Sequence, residues 1–386
     1  MENVYFDHIA ATPVSGEAIK KMAEILKADP GNPDSVHYRG ESAMAVLDEA
    51  RQNTAQLINA DAGEVIFTSS ATESNNVALK GMAAASKKGK HIIISGIEHY
   101  SVLHPAKTLE KQGWELTVLG VDAQGRISPE EAAGAVREDT ALVSVIMASS
   151  EIGTIQDIKK IAQSAKSKGA LFHTDAAAAA GRIPIDVKEL GIDAMTVSAQ
   201  SFGGPPGAAA LYIRNGVKVI PLAEGGIQES GIRPGTRNLP AIAGMGEAAR
   251  MAAGNMHSDS KKLDELAEAI RKGLTDKVNH IYFTGDPVKR LPGHVSLCVE
   301  YIEGEAMLLS LSMKGVAVSS GSACTSKALK ASHVLLACGI DHALAQGSLV
   351  ISLGAGNVQE DAEYFIETFP PIVERLRSMS PLYNKD

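Results

Sequence analysis

The chain has 386 residues, enough for two domains or for one large α/β unit with an appendage. Its 37 Lys and Arg residues against 45 Asp and Glu residues give a formal net charge of −8, so nothing favours nucleic acid or an anionic membrane as a partner. No apolar run approaches the roughly 18 residues of a membrane-spanning helix, and the first residues form no basic or apolar leader, so we expect a cytoplasmic protein.

Short β-branched runs alternate with helical patterns from about residue 45 to 215, which predicts βαβ units and a mainly parallel sheet. Ile158–Ser167 is predicted as an amphipathic helix, and the glycine-rich segment 225–236 as an ordered loop. The predicted strands are Val65–Thr68, His91–Ser95, Leu116–Leu119, Leu142–Met147, Leu171–Thr174, Ala194–Ser198 and Ala209–Ile213.

The pattern changes after the glycine-rich loop. A long polar helix is predicted from about Ser258 to Asp276, followed by strands His294–Val299 and Val316–Ser319 and a helical stretch Glu360–Ser378. We therefore predict a large α/β domain over residues 15–255 and a smaller α+β domain formed by residues 1–14 and 256–386.

Polar residues follow several of the predicted strands, where an open α/β sheet binds its ligands. The hydroxyl residues at 69–72 precede a helix and suit either a bound phosphate or an ordinary N-cap. Glu98, His99 and Asp175 could contact a flat ring ligand or could be buried structural polar residues. Ser198 opens a segment rich in glycine and proline that, taken alone, is only a turn.

The three cysteines are too few and too widely spaced for a disulfide framework or for a self-contained thiolate metal site. Cys298 alternates in a predicted strand and Cys338 ends an apolar helical run, so both are predicted to be packed in a core. Cys324 lies among the small residues of segment 319–326, which favours an accessible loop and a reactive thiol.

Taken together and in this order, these motifs resemble the cysteine desulfurases of the NifS/IscS type, which are fold-type I pyridoxal-phosphate (PLP) enzymes of iron–sulfur cluster assembly. The resemblance covers nearly the whole chain and implies a PLP-transferase-like domain with a mainly parallel seven-stranded sheet. It rests on Ala71-Thr72-Glu73-Ser74-Asn75-Asn76, Glu98-His99, Glu151-Ile152-Gly153-Thr154-Ile155-Gln156, His173-Thr174-Asp175, Gly231-Ile232-Arg233 with Gly235-Thr236, and segment 319–326.

The resemblance implies a role for each matching residue. Cys324 would take sulfur from substrate cysteine as a persulfide and pass it to an IscU-like scaffold protein, or would serve as a transient ligand of an iron–sulfur cluster shared with that partner. Thr236 would act from the neighbouring subunit, which implies a homodimer. The implied cofactor contacts are Ala71, Thr72, Ser198 and Thr236 at the phosphate, His99 stacked on the pyridine ring, and Asp175 at the ring nitrogen.

The sequence departs from the family pattern at the cofactor lysine, whose place is taken by Ser201. No lysine occurs between Lys188 and Lys218. A serine hydroxyl can neither bond the cofactor covalently nor shuttle a proton as a lysine amine does, so covalent PLP binding is not expected. Further departures are Gln200 for a histidine, Ser149-Ser150 for two asparagines, Ala178 for a glutamine, and Val350 for the arginine that would clamp the substrate carboxylate.

The interpretation favoured by these departures is a desulfurase-like protein that docks a scaffold and offers Cys324 without independent PLP-dependent activity. Whether the chain is an enzyme stays open at this point. The persistence of Thr72, His99, Asp175 and Thr236 supports an alternative, an active desulfurase that holds PLP noncovalently. A second alternative is a non-catalytic regulatory subunit.

Overall fold

A computed structural model of the chain describes residues 3–321, 331–381 and 383; Cys324 lies outside these residues. The predicted seven-stranded, mainly parallel sheet is confirmed. Only Ala209–Ile213 runs antiparallel to its neighbours in this sheet. From one edge to the other, the strands of this large sheet are Val65–Thr68, Ala209–Ile213, Ala194–Ser198, Leu171–Asp175, Thr140–Ser144, His91–Ser95 and Glu115–Leu119.

The large sheet is covered by helices on both faces, which explains the uninterrupted apolar runs in its strands. In His91–Ser95, Ile93 points into one hydrophobic core while Ile92 and Ile94 point into another. The helices of this part of the chain are Gly16–Ala28, Tyr38–Leu57, Ala71–Asn76 continuing through Val77–Gly81 and Met82–Ala85, Tyr100–Lys111, Pro129–Ala135, Ile158–Ser167 and Val187–Leu190, with short 3₁₀ turns at Ala62–Glu64, Ala199–Phe202 and Gln228–Gly231.

The C-terminal region builds a small antiparallel sheet of its own, around a core that includes Phe6, Phe365 and Phe369. None of the helices within the described residues is both long enough and apolar enough to cross a membrane. The small sheet contains Ile281–Phe283, His294–Val299 and Ser348–Ser352; Val4–Tyr5 pairs with Val316–Ala317; the helices are Gly304–Ser312, His333–Ala337, His342–Gln346 and Gln359–Met379.

The predicted helix Ser258–Asp276 was wrong at its start, because one helix spans Leu239–Thr275. Its first half is rich in alanine, glycine and methionine and is buried, so it shows no polar face to mark it as a helix. Asn238 caps this helix, and its side chain accepts the Ala241 N–H. The predicted domain boundary at residue 255 falls inside this helix, and the division into two domains stays a prediction.

Two predicted strands were too long. The strand predicted at Leu142–Met147 is Thr140–Ser144 in the structure, so it begins and ends earlier. Beyond its end, the N–H groups of Val145 and Met147 still donate to carbonyls of the strand Leu171–Asp175. Val316–Ser319 shortens to Val316–Ala317, and Ser319 instead forms an isolated bridge with Val350.

The long helix packs closely on Tyr38–Leu57 at Gly246, where a Cβ atom would lie 2.5 Å from the Cα of Ala50. We predict that Gly246→Ala destabilises the protein by about 1–3 kcal/mol through overpacking, despite a gain of about 1 kcal/mol in helix propensity. Gly254→Ala, in the same helix with open space around the added methyl, should stabilise instead. Urea unfolding of both variants measures this, and equal effects would contradict the packing argument.

Candidate active site

A cavity of about 350 Å³ opens at the edge of the large sheet where its parallel strands end. We call it the central pocket. Val65–Thr68 and Ala194–Ser198 both run antiparallel to the strand between them, so the residues after each of them reach the same edge. The predicted residues that the structure brings together around the central pocket are Ala71, Thr72, His99, Asp175, Ser198 and Ser201, joined by Ser150, Ala178 and Ser319.

Asp175 ends its strand with its carboxylate buried at the central pocket, only 3% exposed. Its Oδ2 accepts a hydrogen bond from Asn75 Nδ2 at 2.6 Å, and its Oδ1 accepts the Ala177 N–H at 2.9 Å. A buried carboxylate is costly unless donors surround it, so these two bonds fix both its position and its orientation.

His99 caps the helix Tyr100–Lys111 and is tied to Asp175 through two buried residues. Its Nδ1 accepts the Ser101 N–H at 3.1 Å, so the proton of a neutral ring lies on Nε2. Asn75 Nδ2 also donates to Ser101 Oγ at 2.7 Å, and that hydroxyl lies 2.7 Å from His99 Nδ1. Sequence reasoning assigned no role to Asn75 or Ser101, although Asn75 lies inside a motif that it identified.

The start of the helix Ala71–Asn76 offers free backbone amides to the central pocket. Ser70 is the N-cap, and its Oγ accepts the Glu73 N–H at 3.2 Å. Ala71 and Thr72 therefore occupy the first turn, whose N–H groups have no partner within the helix and attract anions. The N-cap interpretation is confirmed at Ser70. The next two residues line the cavity, and their binding of a phosphate stays a prediction.

Ser201 occupies the 3₁₀ turn Ala199–Phe202, which the N-terminal segment holds in place. Thr12 N–H donates to Gln200 O at 3.0 Å, and Gln200 Nε2 donates to Ala10 O at 3.0 Å. Among the described residues, no lysine or arginine side chain lines the central pocket. The central pocket therefore offers no amine at the position where the family pattern has its lysine.

Val350 does not compensate for the missing arginine. It is 1% exposed on the strand Ser348–Ser352 and exchanges two backbone hydrogen bonds with Ser319. Ser319 lines the central pocket, whereas Val350 is buried and does not line it.

The residues of the central pocket fit the noncovalent contacts of PLP. Asp175 is a fixed carboxylate that can accept a ring N–H, and His99 presents a flat ring. The first turn at Ala71 and Thr72, with the Ser198 hydroxyl, suits a phosphate, and the cavity volume lies in the range of small-ligand sites. The covalent contact is the one that Ser201 cannot supply.

Thr236 is exposed and does not line the central pocket of its own chain. It belongs to the predicted glycine-rich loop, which Glu229 anchors through a buried carboxylate. Glu229 pairs with Arg51 at 2.7 Å and with Arg237 at 2.8 Å. These bonds hold the loop outside the central pocket, as a role toward a second subunit would require.

The structure buries both cysteines that were predicted to be packed. Cys298 lies in the strand His294–Val299, and Cys338 directly follows the helix His333–Ala337. Burial raises the pKa of Cys298 to about 12 and that of Cys338 to about 11, so neither thiol forms the reactive thiolate near neutral pH. The described residues contain no cluster of three or more metal-ligating side chains.

Glu98 lies behind His99 rather than in the central pocket, and it is 1% exposed. Its Oε1 accepts the Ser95 hydroxyl at 2.6 Å and the Ile146 N–H at 2.7 Å, while its Oε2 has no partner. Burial raises the pKa of Glu98 to about 8, and the nearby charge of Asp175 adds to this effect. Glu98 is therefore a buried carboxylic acid that stays protonated at neutral pH.

Comparison with known proteins assigns the class. The family model for class-V aminotransferases matches residues 4–365. A solved structure described as a NIFS-like protein superposes with a TM-score of 0.91 at 34% identity, covering 97% of this chain and all of that one.

The chain is also 46% identical to a cysteine desulfurase IscS of Methanosarcina thermophila, over 99% of this chain and 95% of the relative. It is 45% identical to cysteine desulfurase IscS 1 of Archaeoglobus fulgidus, over 99% of this chain and all of the relative. The chain thus belongs to the class-V aminotransferase fold family and, within it, to the IscS/NifS cysteine desulfurases. These matches do not support the expected loss of desulfurase activity and favour the alternative of an active desulfurase.

Glu98 gives the stability of the protein a defined pH dependence. An unfolded glutamate loses its proton near pH 4.5, whereas folded Glu98 keeps it to about pH 8, so stability falls as the pH rises through this window. Glu98 should lower the free energy of unfolding of the wild type by about 1.4 kcal/mol for each pH unit between pH 5 and 7. We predict that this decrease is absent in Glu98→Gln. Urea unfolding at fixed protein concentration measures the slope, with exposed Glu110→Gln as the matched control. Parallel slopes for wild type and Glu98→Gln would show that Glu98 ionises normally.

Proposed function

We propose that this chain is a sulfur-transfer protein of iron–sulfur cluster assembly that acts on L-cysteine, with PLP held noncovalently in the central pocket and Cys324 as the sulfur carrier. The observation that carries the proposal is the fixed Asp175 carboxylate facing an open cavity beside His99 and a helix amino terminus. The full-length similarity to proteins named as cysteine desulfurases supports the substrate and the reaction.

The overall reaction converts L-cysteine and the Cys324 thiol into L-alanine and a persulfide on Cys324. The Cys324 thiolate attacks the substrate sulfur, an S–S bond forms, and the C–S bond breaks with its electron pair left on the substrate carbon, which then takes up a proton. PLP, when bound, supplies the electron sink that makes this cleavage feasible. The persulfide sulfur then passes to a scaffold protein. That partner also supplies the remaining cluster ligands, because a single thiolate cannot hold a cluster alone.

The protein's own residues have separable roles in this proposal. Asp175 accepts a ring N–H and keeps that proton in place through its bonds to Asn75 and Ala177. His99 packs against the ring, and its Nε2 is the nitrogen left to donate or accept a proton. A homodimer, with Thr236 reaching the partner's pocket, and a cytoplasmic location belong to the same proposal.

A second candidate function rests on Ser201 and Val350. Without an amine at residue 201, and without an arginine at residue 350, the chain would bind a scaffold protein and offer Cys324 as a transient cluster ligand. Cys324 could also carry persulfide sulfur, taken from a partner's persulfide by an exchange that releases the partner's thiol. This candidate uses the same fold and the same thiol but needs no chemistry in the central pocket.

The two candidates differ in alanine production. We predict that the purified protein, given PLP, L-cysteine and dithiothreitol, forms alanine above the level of free PLP. Cys324→Ala should abolish this production, and Asp175→Asn should weaken PLP binding about tenfold or more, since a hydrogen bond to a charged group is worth about 1.5–3 kcal/mol. Alanine is quantified by chromatography and PLP binding by its visible absorption.

Cys338→Ala is the matched control, because its buried thiol should not take part in sulfur transfer. Alanine at the free-PLP level would contradict the first candidate. If cluster formation on a scaffold protein, with iron and sulfide supplied anaerobically, nevertheless depended on Cys324, the second candidate would take its place.

A gain-of-function variant tests whether the central pocket orients PLP toward residue 201. We predict that Gln200→His/Ser201→Lys retains PLP through exhaustive dialysis and that borohydride fixes it to the new lysine, because the loop backbone already stands at the cavity. Mass spectrometry of the labelled peptide provides the measurement. Gln200→His alone carries no new amine and should lose PLP on dialysis; equal loss from the double variant would show that the cavity does not place the cofactor there.

A further inference from the structure

A second cavity, of about 370 Å³, adjoins the central pocket at Ser201, which lines both. We call it the Arg182 cavity. It lies between the N-terminal segment 12–15, the loop 201–203, one face of the helix Leu239–Thr275 and the segment 354–356. Nothing in the proposed desulfurase chemistry uses this cavity, so its lining residues need their own explanation.

Arg182 is the buried cation of this cavity, with only 8% of its surface exposed. Its Nη1 donates to Leu353 O at 3.1 Å, while its Nε is buried and has no hydrogen-bond partner. Burial lowers the pKa of Arg182 to about 10. A buried guanidinium is costly without a counter-charge, and a carboxylate is the anion whose geometry suits it.

His8 lies beside Arg182 and does not supply that counter-charge. It is 6% exposed, and its Nδ1 is buried without a partner. Burial, together with the charge of Arg182, lowers the pKa of His8 to about 4, so the ring is neutral at neutral pH. Of these two residues that line the cavity, Arg182 therefore carries a charge at neutral pH and His8 does not.

Asp259 lines the same cavity from the helix Leu239–Thr275, where it is partly exposed. Within the described parts of the chain, neither Asp259 nor Arg182 forms an ion pair with any residue, although Ser260 donates to the Arg182 carbonyl at 2.9 Å. The cavity thus presents a cation and an anion that are not paired with each other. The other residues that line the cavity include the apolar side chains of Phe202 and Met251.

We propose that the Arg182 cavity binds a free α-amino acid with an apolar side chain, its carboxylate on Arg182 and its ammonium group at Asp259. An α-amino acid carries one carboxylate and one ammonium group, which correspond to the one cation and one anion of the lining, and the apolar residues receive its side chain. The site requires neither PLP nor Cys324, so it stands independently of the proposed desulfurase function.

The test uses L-methionine as the probe, because it has an apolar side chain and no thiol to be desulfurated. Calorimetric titration of the full-length protein without PLP should show saturable binding. Asp259→Asn should weaken methionine binding about tenfold, as expected for loss of one charge-assisted hydrogen bond. The same substitution should leave binding of 4-(methylthio)butanoate, which lacks the ammonium group, unchanged. This difference between the two probes is specific to an ammonium contact at residue 259.

Arg182→Gln should abolish binding of both probes, but it also removes the bond to Leu353 O and could disturb folding. Ala252→Phe provides the second variant, because it fills the cavity from a partly exposed helix position and leaves both charged residues in place. It should abolish methionine binding while preserving the unfolding transition. Absence of methionine binding to the wild type, or binding that neither Asp259→Asn nor Ala252→Phe changes, would overturn the proposal.

Discussion

The central pocket depends on keeping a carboxylate, Asp175, buried at the end of a central strand. Such a group is stable only where donors are fixed around it, and here the donors are the side chain of Asn75 and the backbone N–H of Ala177. Asn75 comes from the helix that follows the first strand of the large sheet, so the same bond that holds the carboxylate also sets that helix against the sheet. The helix amino terminus thereby lines the same cavity as Asp175, where it can contact another part of the same ligand.

A second acidic side chain, Glu98, lies close to Asp175 but is protonated at neutral pH. Glu98 accepts two hydrogen bonds at one oxygen, leaves the other without a partner, and stays protonated to about pH 8. The charge of Asp175 contributes to that raised pKa, which means that the site accommodates one negative charge more easily than two. Below His99 the protein therefore holds a neutral acid, and at the central pocket it holds the carboxylate that a protonated ring would need.

The sequence was sufficient to predict the large sheet, because βαβ alternation and apolar runs report directly on a parallel sheet covered on both faces. It also identified most residues of the central pocket, since ligand contacts follow the strands.

The sequence did not predict the first half of the helix Leu239–Thr275, whose buried alanine and glycine residues carry no polar periodicity. The link from Asp175 to His99 through Asn75 and Ser101 was also missed, because hydrogen bonds between residues 26 and 100 positions apart leave no local pattern. The Arg182 cavity was missed for the same reason, as its charged residues come from separate segments.

The replacement of lysine by Ser201 removes an amine without removing the loop that would present it. The turn Ala199–Phe202 is still held by the N-terminal segment through Thr12 and Gln200, and Ser15 N–H donates to Gly203 O at 2.9 Å. A serine at this position is much shorter than a lysine, so its side chain fills little of the two cavities that it lines. A lysine there would be long enough to reach into the central pocket, as a covalent anchor for the cofactor requires. Its absence therefore removes the covalent anchor, while the turn that would present it keeps its place beside the central pocket.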